Sequence, residues 1–143
     1  MIVLIYGQPA SGKTTLANKM LSKLCLPISI DGDKWRDITK NKDYSKEGRL
    51  INLKGAFDMA LYLENSGFTP ILSFVCPYEE MRSYLLDNAK KLYLIYLEYN
   101  EDRGRLMNFA NDFEEGEYDL KLNTSIYNID ECLLKIMKVI IAS

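Results

Sequence analysis

The sequence predicts an α/β fold in which five parallel strands form a sheet with helices on both faces. Short, uniformly apolar runs alternate along the chain with segments whose apolar residues recur every three or four positions. A glycine-rich motif joins the first apolar run to the first helical segment. Strands that alternate with helices pair in parallel, because each crossover helix returns the chain to the same edge of the sheet.

Each element has its own signal in the sequence. Ser45 is a suitable N-cap for the longest helix, Gly67 is a suitable residue to follow its end, and Pro77 is typical of a helix start. The segments 34–44 and 98–117 are polar, and we predict no regular structure there. We expect strands at residues 2–6, 26–30, 69–75, 92–97 and 118–122, and helices at residues 14–24, 45–65, 77–90 and 129–141. A chain of 143 residues has the size of one domain, so we expect residues 1–143 to form a single domain.

Residues 7–14 read G-Q-P-A-S-G-K-T and match the phosphate-binding loop G-x-x-x-x-G-K-[ST] at every fixed position. Glycine at both ends lets successive backbone N–H groups point into one concavity that holds phosphate oxygens. The Lys13 ammonium can reach the β- and γ-phosphates of ATP, and the Thr14 hydroxyl can ligate Mg²⁺. The predicted nucleotide-binding residues are Gly7, Ala10, Ser11, Gly12, Lys13, Thr14 and Thr15.

Two carboxylates follow the second predicted strand. Parallel sheets place ligands beyond the carboxyl ends of their strands, so Asp31 and Asp33 are expected near the phosphate loop. A carboxylate there can hold Mg²⁺ or accept a proton from an attacking hydroxyl. We expect only one of the two to point inwards, and we favour Asp33 for both roles, with Thr14 as the second metal ligand.

Basic and aromatic residues in the following segments are candidates for substrate binding. Arg49 and Asn52 are three residues apart and share one helical face, where they could hold a phosphate or a sulfate. Arg36 could assist them, although a lone arginine is often only a solvated surface residue. Tyr44 and Phe109 could stack on a base or cap the core.

Composition excludes several function classes. The net charge of −2 argues against a protein that coats nucleic acid. The chain has no histidine and three widely spaced cysteines, so we do not expect a zinc site, a histidine base or a disulfide scaffold. We expect no signal peptide and no membrane-spanning segment, and therefore a cytoplasmic protein. The sequence leaves open whether the protein forms a homo-oligomer.

A series of motifs carries a family resemblance. Residues 30–36 read I-D-G-D-K-W-R, residues 44–54 read Y-S-K-E-G-R-L-I-N-L-K, and residues 73–82 read S-F-V-C-P-Y-E-E-M-R. Together with the phosphate loop, in this order, they resemble adenylyl-sulfate kinases, whose segments read L-D-G-D-x-x-R, F-S-x-x-D-R-x-x-N-I-R and S-F-I-S-P-Y-x-x-x-R. Asn108-Phe109 and residues 118–124 extend the resemblance. It implies a P-loop kinase fold and ATP-dependent phosphorylation of the ribose 3′-hydroxyl of adenosine 5′-phosphosulfate.

The resemblance also implies a role for each matching residue. Asp33 would face the acceptor hydroxyl, while Lys13 and Arg103 would neutralise the charge of the transferred group. Tyr44 and Phe109 would stack on the two sides of the adenine. The implied substrate-binding residues are Asp31, Arg36, Tyr44, Arg49, Asn52, Ser73 and Phe109.

The segment at about 99–117, which corresponds to the family's lid, departs from the pattern. It is much shorter than that lid and mostly acidic, with Arg103 and Arg105 as the remaining arginines. Three functions therefore stay open: a kinase of adenylyl sulfate, a kinase of another hydroxyl acceptor, or a nucleotide-binding module with little catalysis. The second class includes a nucleoside, a modified base and a nucleic-acid end. A nucleic acid is not favoured, because the basic residues at 34–46 are interleaved with acids.

Overall fold

Five parallel strands form one sheet in the order β2-β3-β1-β4-β5. The computed structural model describes residues 1–104 and 108–143, and within these ranges it contains five strands and five helices. The strands are β1 (Ile2–Tyr6), β2 (Pro27–Asp31), β3 (Thr69–Phe74), β4 (Leu92–Glu98) and β5 (Leu120–Asn123). The helices are α1 (Lys13–Met20), α2 (Gly32–Thr39), α3 (Lys46–Asn65), α4 (Glu79–Asn88) and α5 (Ile129–Ala142). The predicted fold class is confirmed.

The central strand β1 divides two hydrophobic cores. Its side chains alternate between the faces of the sheet, so Leu4 and Tyr6 lie in one core, and Val3 and Ile5 lie in the other. Residues of α3 and α4 complete the first core, and residues of α1 and α5 complete the second. Because every residue of β1 is buried, the phosphate loop that follows it starts from a fixed position.

The helix α2 was not predicted, because its sequence suggests only a polar segment. The carboxylate of Asp31 caps it by accepting hydrogen bonds from the backbone N–H groups of Asp33 and Lys34. None of its residues is fully buried: Trp35 packs partly against the core and Ile38 is largely exposed, so the eight-residue helix offers only two apolar positions in a polar segment. The functional consequence is that α2 begins where β2 ends, at the edge of the sheet that carries the phosphate loop.

The ends of the other helices follow local sequence signals. Ser45 caps α3 by accepting a hydrogen bond from the Gly48 N–H, and Gly67 follows that helix with a φ of 98°, as predicted. The predicted start of α4 at Pro77 is two residues early, because Tyr78 is its N-cap. α1 ends four residues earlier than predicted, since the chain forms turns after Met20.

The β4–β5 connection, residues 99–119, is attached to the phosphate loop and to α4 where the structure describes it. The Gln8 side chain donates to the Ala110 carbonyl at 2.7 Å and accepts from its N–H at 2.9 Å. The buried Arg82 guanidinium donates to the backbone carbonyls of Glu114 and Glu115. The connection is therefore held at fixed points over the ends of the strands. No helix within the described ranges is long and apolar enough to cross a membrane.

Candidate active site

A cavity of about 320 Å³ lies at the carboxyl ends of β1, β2 and β3. The phosphate loop, the start of α2, the first turns of α3 and the end of β3 all contribute to its wall. The lining residues are Pro9, Ala10, Gly12, Lys13, Thr14, Thr15, Asp31, Gly32, Asp33, Arg36, Tyr44, Arg49, Asn52, Leu53, Ser73, Phe74, Val75, Cys76, Pro77 and Asn108. The volume lies within the range of small-molecule sites. The position is the one expected for a ligand of a parallel α/β sheet.

The phosphate loop has the backbone that its sequence requires. A Cβ at Gly7 would overlap the Leu97 carbonyl oxygen of β4, so the loop can pack against this strand only with glycine. Gly12 has a φ of 102° and immediately precedes the first turn of α1. The Lys13 ammonium donates to the Gln8 carbonyl at 2.8 Å and to the Ser11 hydroxyl at 3.3 Å. The loop thus places a helix N-terminus and a lysine at one end of the cavity.

Asp31 lies at the centre of a small hydrogen-bond network. Its Oδ1 accepts from the Thr14 hydroxyl at 2.6 Å and from the Ser73 hydroxyl at 3.1 Å. Burial raises the pKa of Asp31, but these hydroxyls and the N–H groups that its carboxylate caps outweigh burial, so its pKa is lowered. Asp31 therefore stays ionised beside the hydroxyl of the phosphate loop.

Asp31 and Asp33 both line the cavity, and the expectation that only one of their carboxylates points inwards stays a prediction. Asp31 is the last residue of β2, and Asp33 lies in the first turn of α2, which the sequence did not reveal. The first turn of this helix places both residues at the cavity. The assignment of metal and acceptor hydroxyl to Asp33 stays a prediction, and Asp31 is a further candidate for the metal.

The oxygen donors near Thr14 fit Mg²⁺. This cation prefers oxygen ligands and is usually held by one or two carboxylates together with substrate phosphates. The Thr14 hydroxyl and the Asp31 and Asp33 carboxylates supply such oxygens beside the phosphate loop. Residues 1–104 and 108–143 hold no cluster of three or more histidine, cysteine, aspartate or glutamate ligands.

Part of the cavity wall is basic. The Arg36 guanidinium lies over the Tyr44 ring, 4.0 Å from its centre, and the Arg49 guanidinium lies 5.9 Å from the same centre. Burial is the main cause that lowers the pKa of Arg36, and the charge of Arg49 lowers it further, although Tyr44 acts in the opposite sense. Asn52 lies one turn along α3 and is 5% exposed. Because two cations repel each other here, an anionic group in the cavity would stabilise them both.

Arg49 also contacts the β4–β5 connection. Its Nη2 donates to the Asn108 carbonyl at 3.1 Å, and its Nη1 lies 3.8 Å from Oδ1 of Asp112. The other carboxylate oxygen of Asp112 accepts from the hydroxyl of the buried Tyr78 at 2.9 Å. Burial first, and the Asp112 hydrogen bond second, raise the pKa of Tyr78. An acid of the connection thus lies beside a basic residue of the cavity.

Arg103 lies on the other side of the phosphate loop. Its Nη1 donates to the Ala10 carbonyl and to the Thr124 hydroxyl, each at 2.9 Å. It stacks over the Tyr99 ring at 4.5 Å, and the Tyr99 hydroxyl donates to the Pro9 carbonyl at 2.5 Å. The start of the connection is therefore bound to the backbone of the phosphate loop, and Arg103 lies beside the nucleotide-binding residues.

The structure does not bring every predicted site residue into the main cavity. Gly7 and Ser11 belong to the phosphate loop but do not line the cavity of about 320 Å³. Phe109 and Arg103 line a second cavity of about 460 Å³ beside the end of β4, so Phe109 and Tyr44 line different cavities. Stacking of a base between these two rings stays a prediction, and Arg105 lies outside the described residues. Every other predicted site residue lines the main cavity.

Sequence reasoning missed the contacts that join the connection to the site. Gln8 stands at a variable position of the phosphate-loop pattern, so nothing in the motif suggests that its amide pairs with Ala110. Asn108 contributes a backbone carbonyl, which no sequence pattern reports. The acidic character of the connection was visible, but its partner Arg49 is 63 residues away from Asp112 in sequence. Such pairs become visible only in the fold.

Comparisons with known proteins identify the family. The family model described as adenylylsulphate kinase matches residues 1–105. The chain is 26% identical to a cytidine diphosphoramidate kinase of Campylobacter jejuni, over 89% of this chain and 88% of that protein. It is also 26% identical to an adenylyl-sulfate kinase of Chloroflexus aurantiacus, over 93% of this chain and 84% of that protein.

Solved structures show the same fold. The APS kinase of Mycobacterium tuberculosis in complex with AMPPNP and APS superposes with a TM-score of 0.82 at 19% identity, covering 97% of this chain and 96% of that one. The family match covers most of the chain, including the phosphate loop, both aspartates and the basic wall. The chain therefore belongs to the adenylylsulphate kinase family and is an ATP-dependent P-loop phosphotransferase.

Proposed function

We propose that the chain transfers the γ-phosphoryl group of ATP to a ribose hydroxyl of a nucleotide that carries two linked anionic groups at its 5′ end. The observation that supports this most is the composition of one cavity. The phosphate loop and two carboxylates line it together with Arg36, Arg49 and Asn52. A phosphoryl donor and an anionic acceptor can therefore meet between them.

The half of the proposed site that would bind ATP, the phosphoryl donor, follows from the phosphate loop. Backbone N–H groups at the start of α1 would bind the phosphates, and Lys13 would move from its carbonyl and hydroxyl partners to the phosphate oxygens. Thr14 and the neighbouring carboxylates would hold Mg²⁺, which supplies neutralisation of the developing charge when bound. Arg103 would approach the same charge from the β4–β5 connection. Positioning and electrostatic stabilisation account for most of the catalysis in this chemistry.

The acceptor half follows from the two aspartates and the basic wall. Asp33 lies in the first turn of α2 and would orient the attacking hydroxyl and accept its proton, as the family resemblance implies. Arg36, Arg49 and Asn52 would bind the anionic groups at the 5′ end of the acceptor. We propose the segment at about 99–117 as a short lid over both halves of a single kinase domain.

Two acceptors are favoured by specific observations. Adenosine 5′-phosphosulfate is favoured because the family motifs follow one another in this chain through both walls of the cavity. Cytidine diphosphoramidate is favoured because the Campylobacter jejuni kinase that is named for it aligns over nearly the whole of both chains. Both compounds join a nucleoside to two anionic groups, so the same basic wall suits either. Small nucleotides, and not nucleic acids, are the acceptors that these relatives indicate.

The two acceptors are separated by one experiment. Purified protein is incubated with Mg²⁺ and ATP labelled at its γ-phosphate, together with adenosine 5′-phosphosulfate, cytidine diphosphoramidate, nucleosides or an oligonucleotide. We expect label on one of the first two and a kcat/KM at least about tenfold above that of any other acceptor. ATP binding without transfer to any acceptor would contradict the proposal and favour a nucleotide-binding module.

A further inference from the structure

A carboxylate of the β4–β5 connection stands beside the arginine that we assign to the acceptor. The side chain of Asp112 comes within 3.8 Å of the Arg49 guanidinium, and Arg49 lines the main cavity with only 8% of its surface exposed. The family pattern has a basic lid in this part of the chain. Asp112 does not itself line that cavity, so it would act on a bound anion through its effect on the charge of Arg49.

The position of this carboxylate is fixed from two sides. The Tyr78 hydroxyl donates to Oδ2 of Asp112 at 2.9 Å, and Tyr78 itself is only 2% exposed. On the other side, Arg49 is tied to the same connection through the Asn108 carbonyl. Asp112 is half exposed to solvent, so its charge is partly screened but not removed.

The charges that surround Arg49 set its capacity for anions. Arg36, which lies over the same Tyr44 ring, adds a second positive charge nearby. Asp112 offsets part of the charge of Arg49. A terminal group with one negative charge can be bound by this set. A second negative charge on the same group would be compensated less well, because the Asp112 carboxylate already offsets Arg49 and repels a further negative charge nearby.

We propose that Asp112 determines specificity by selecting acceptors whose terminal group carries one negative charge over nucleoside diphosphates, whose terminal phosphate carries two. A sulfate or an amidate has a single negative charge at neutral pH, whereas a free terminal phosphate loses a second proton near pH 6. The distinction is useful to a kinase, because ADP is its own product and could otherwise occupy the acceptor site. This inference rests on the proposed function, since it places the 5′ end of the acceptor at Arg49.

The test compares the wild type with Asp112→Asn. Asparagine keeps an oxygen that can accept from Tyr78 but removes the charge. At saturating ATP, the inhibition constants of ADP and CDP are measured in competition with the acceptor that the protein phosphorylates. We expect the diphosphate of the matching nucleoside to inhibit about tenfold more tightly in the variant, the size expected of one partly screened like charge. The KM of the acceptor should change by less than about threefold, because its terminal group carries one charge fewer.

Glu117→Gln is the matched control, since it removes one exposed acidic charge from the same connection. We expect it to change neither constant. An unchanged inhibition constant in Asp112→Asn would overturn the proposal, and so would an equal tightening for acceptor and diphosphate. Tyr78→Phe, which releases the carboxylate from its hydroxyl partner, should weaken the discrimination in the same direction, and melting temperatures verify that each variant is folded.

Failure of the proposed function gives a different result. If the wild type phosphorylates neither favoured acceptor, that function fails whatever Asp112 does. Calorimetry with ADP and CDP, on protein already saturated with AMPPNP, then measures diphosphate binding directly in the wild type and in Asp112→Asn. Equal affinities there would overturn the role of Asp112 by itself.

Discussion

The Thr14 hydroxyl lies 2.6 Å from Oδ1 of Asp31 and joins the phosphate loop to the end of the neighbouring strand. Asp31→Asn would remove the negative charge while keeping a similar shape. We expect kcat to fall about 10- to 100-fold, as for other residues that orient a metal ligand, and the Mg²⁺ concentration for half-maximal activity to rise. Steady-state kinetics over a Mg²⁺ titration measures both.

Asp37→Asn, an exposed position on α2, is the control for that experiment and should leave kcat unchanged. Asp33→Asn separates the two carboxylates. If Asp33→Asn alone altered the Mg²⁺ dependence, the metal would belong to Asp33, as the sequence predicts, and Asp31 would serve only as the cap of α2.

Lys13→Ala removes the ammonium of the phosphate loop. We expect kcat to fall by about 100- to 1,000-fold, because a preorganised charge that meets the developing negative charge supplies stabilisation of that order. Lys19→Ala, which removes an exposed ion pair between α1 and Asp130, should leave turnover intact. Wild-type turnover in Lys13→Ala with a verified acceptor would contradict the mechanism.

Gly7 and Gly67 provide a matched pair of glycine-to-alanine substitutions. Both have positive φ angles, but a Cβ at Gly7 would overlap the Leu97 carbonyl, whereas a Cβ at Gly67 has no atom within 4 Å in the described structure. We expect Gly67→Ala to cost about 1–2 kcal/mol through backbone strain alone. Gly7→Ala should cost more and should also weaken ATP binding. Denaturant unfolding gives the free energies of unfolding. Equal losses of unfolding free energy in Gly7→Ala and Gly67→Ala would refute the steric argument.

The three cysteines should differ in reactivity towards alkylating reagents. Cys25 is exposed, whereas Cys76 and Cys132 are buried. Burial raises the pKa of Cys76 to about 12, so this thiol stays protonated as well as inaccessible. We expect one alkylated cysteine in the native protein at pH 8 and three in denaturant, measured by mass spectrometry. Rapid modification of Cys76 in the native state would show that the cavity wall opens.

The same thiol predicts how stability depends on pH. The unfolded chain loses the Cys76 proton near its ordinary pKa of 9.0, while the folded chain keeps it until about 12. Since the folded state binds the proton more tightly, the contribution of Cys76 to the free energy of unfolding is complete below pH 9. It is lost as the pH rises towards 12. Urea unfolding of the wild type and of Cys76→Ala across this range measures the difference, and parallel curves for the two proteins would contradict it.

The parts of the fold that the sequence predicted are those with strong local signals. The apolar runs that became the strands, the Ser45 cap and the Gly67 terminus each depend on a few neighbouring residues. The helix α2 depends instead on a cap by Asp31 and on packing that leaves none of its residues buried. Two apolar residues, Trp35 and Ile38, within eight positions form too short a pattern to separate such a helix from a polar loop.

The site divides in the same way. Motif residues such as Lys13 and Arg49 could be placed at the cavity from the sequence, because their positions follow from strand ends and helix faces. The presence of both aspartates at the cavity depends on α2, which was not predicted. The pairing of Asp112 with Arg49 depends on the path of the β4–β5 connection across the sheet, which no local pattern specifies.

The two hydrogen bonds between Gln8 and Ala110 make the donor and acceptor halves of the site mechanically continuous. Ala110 lies two residues from Asn108, whose carbonyl accepts from Arg49, so a chain of contacts runs from the phosphate loop to this arginine. We expect occupancy of the phosphate loop to alter anion binding at Arg49 through this link, with an equal effect in both directions by thermodynamic reciprocity. The Gln8 side chain would then let each half of the site respond to the other.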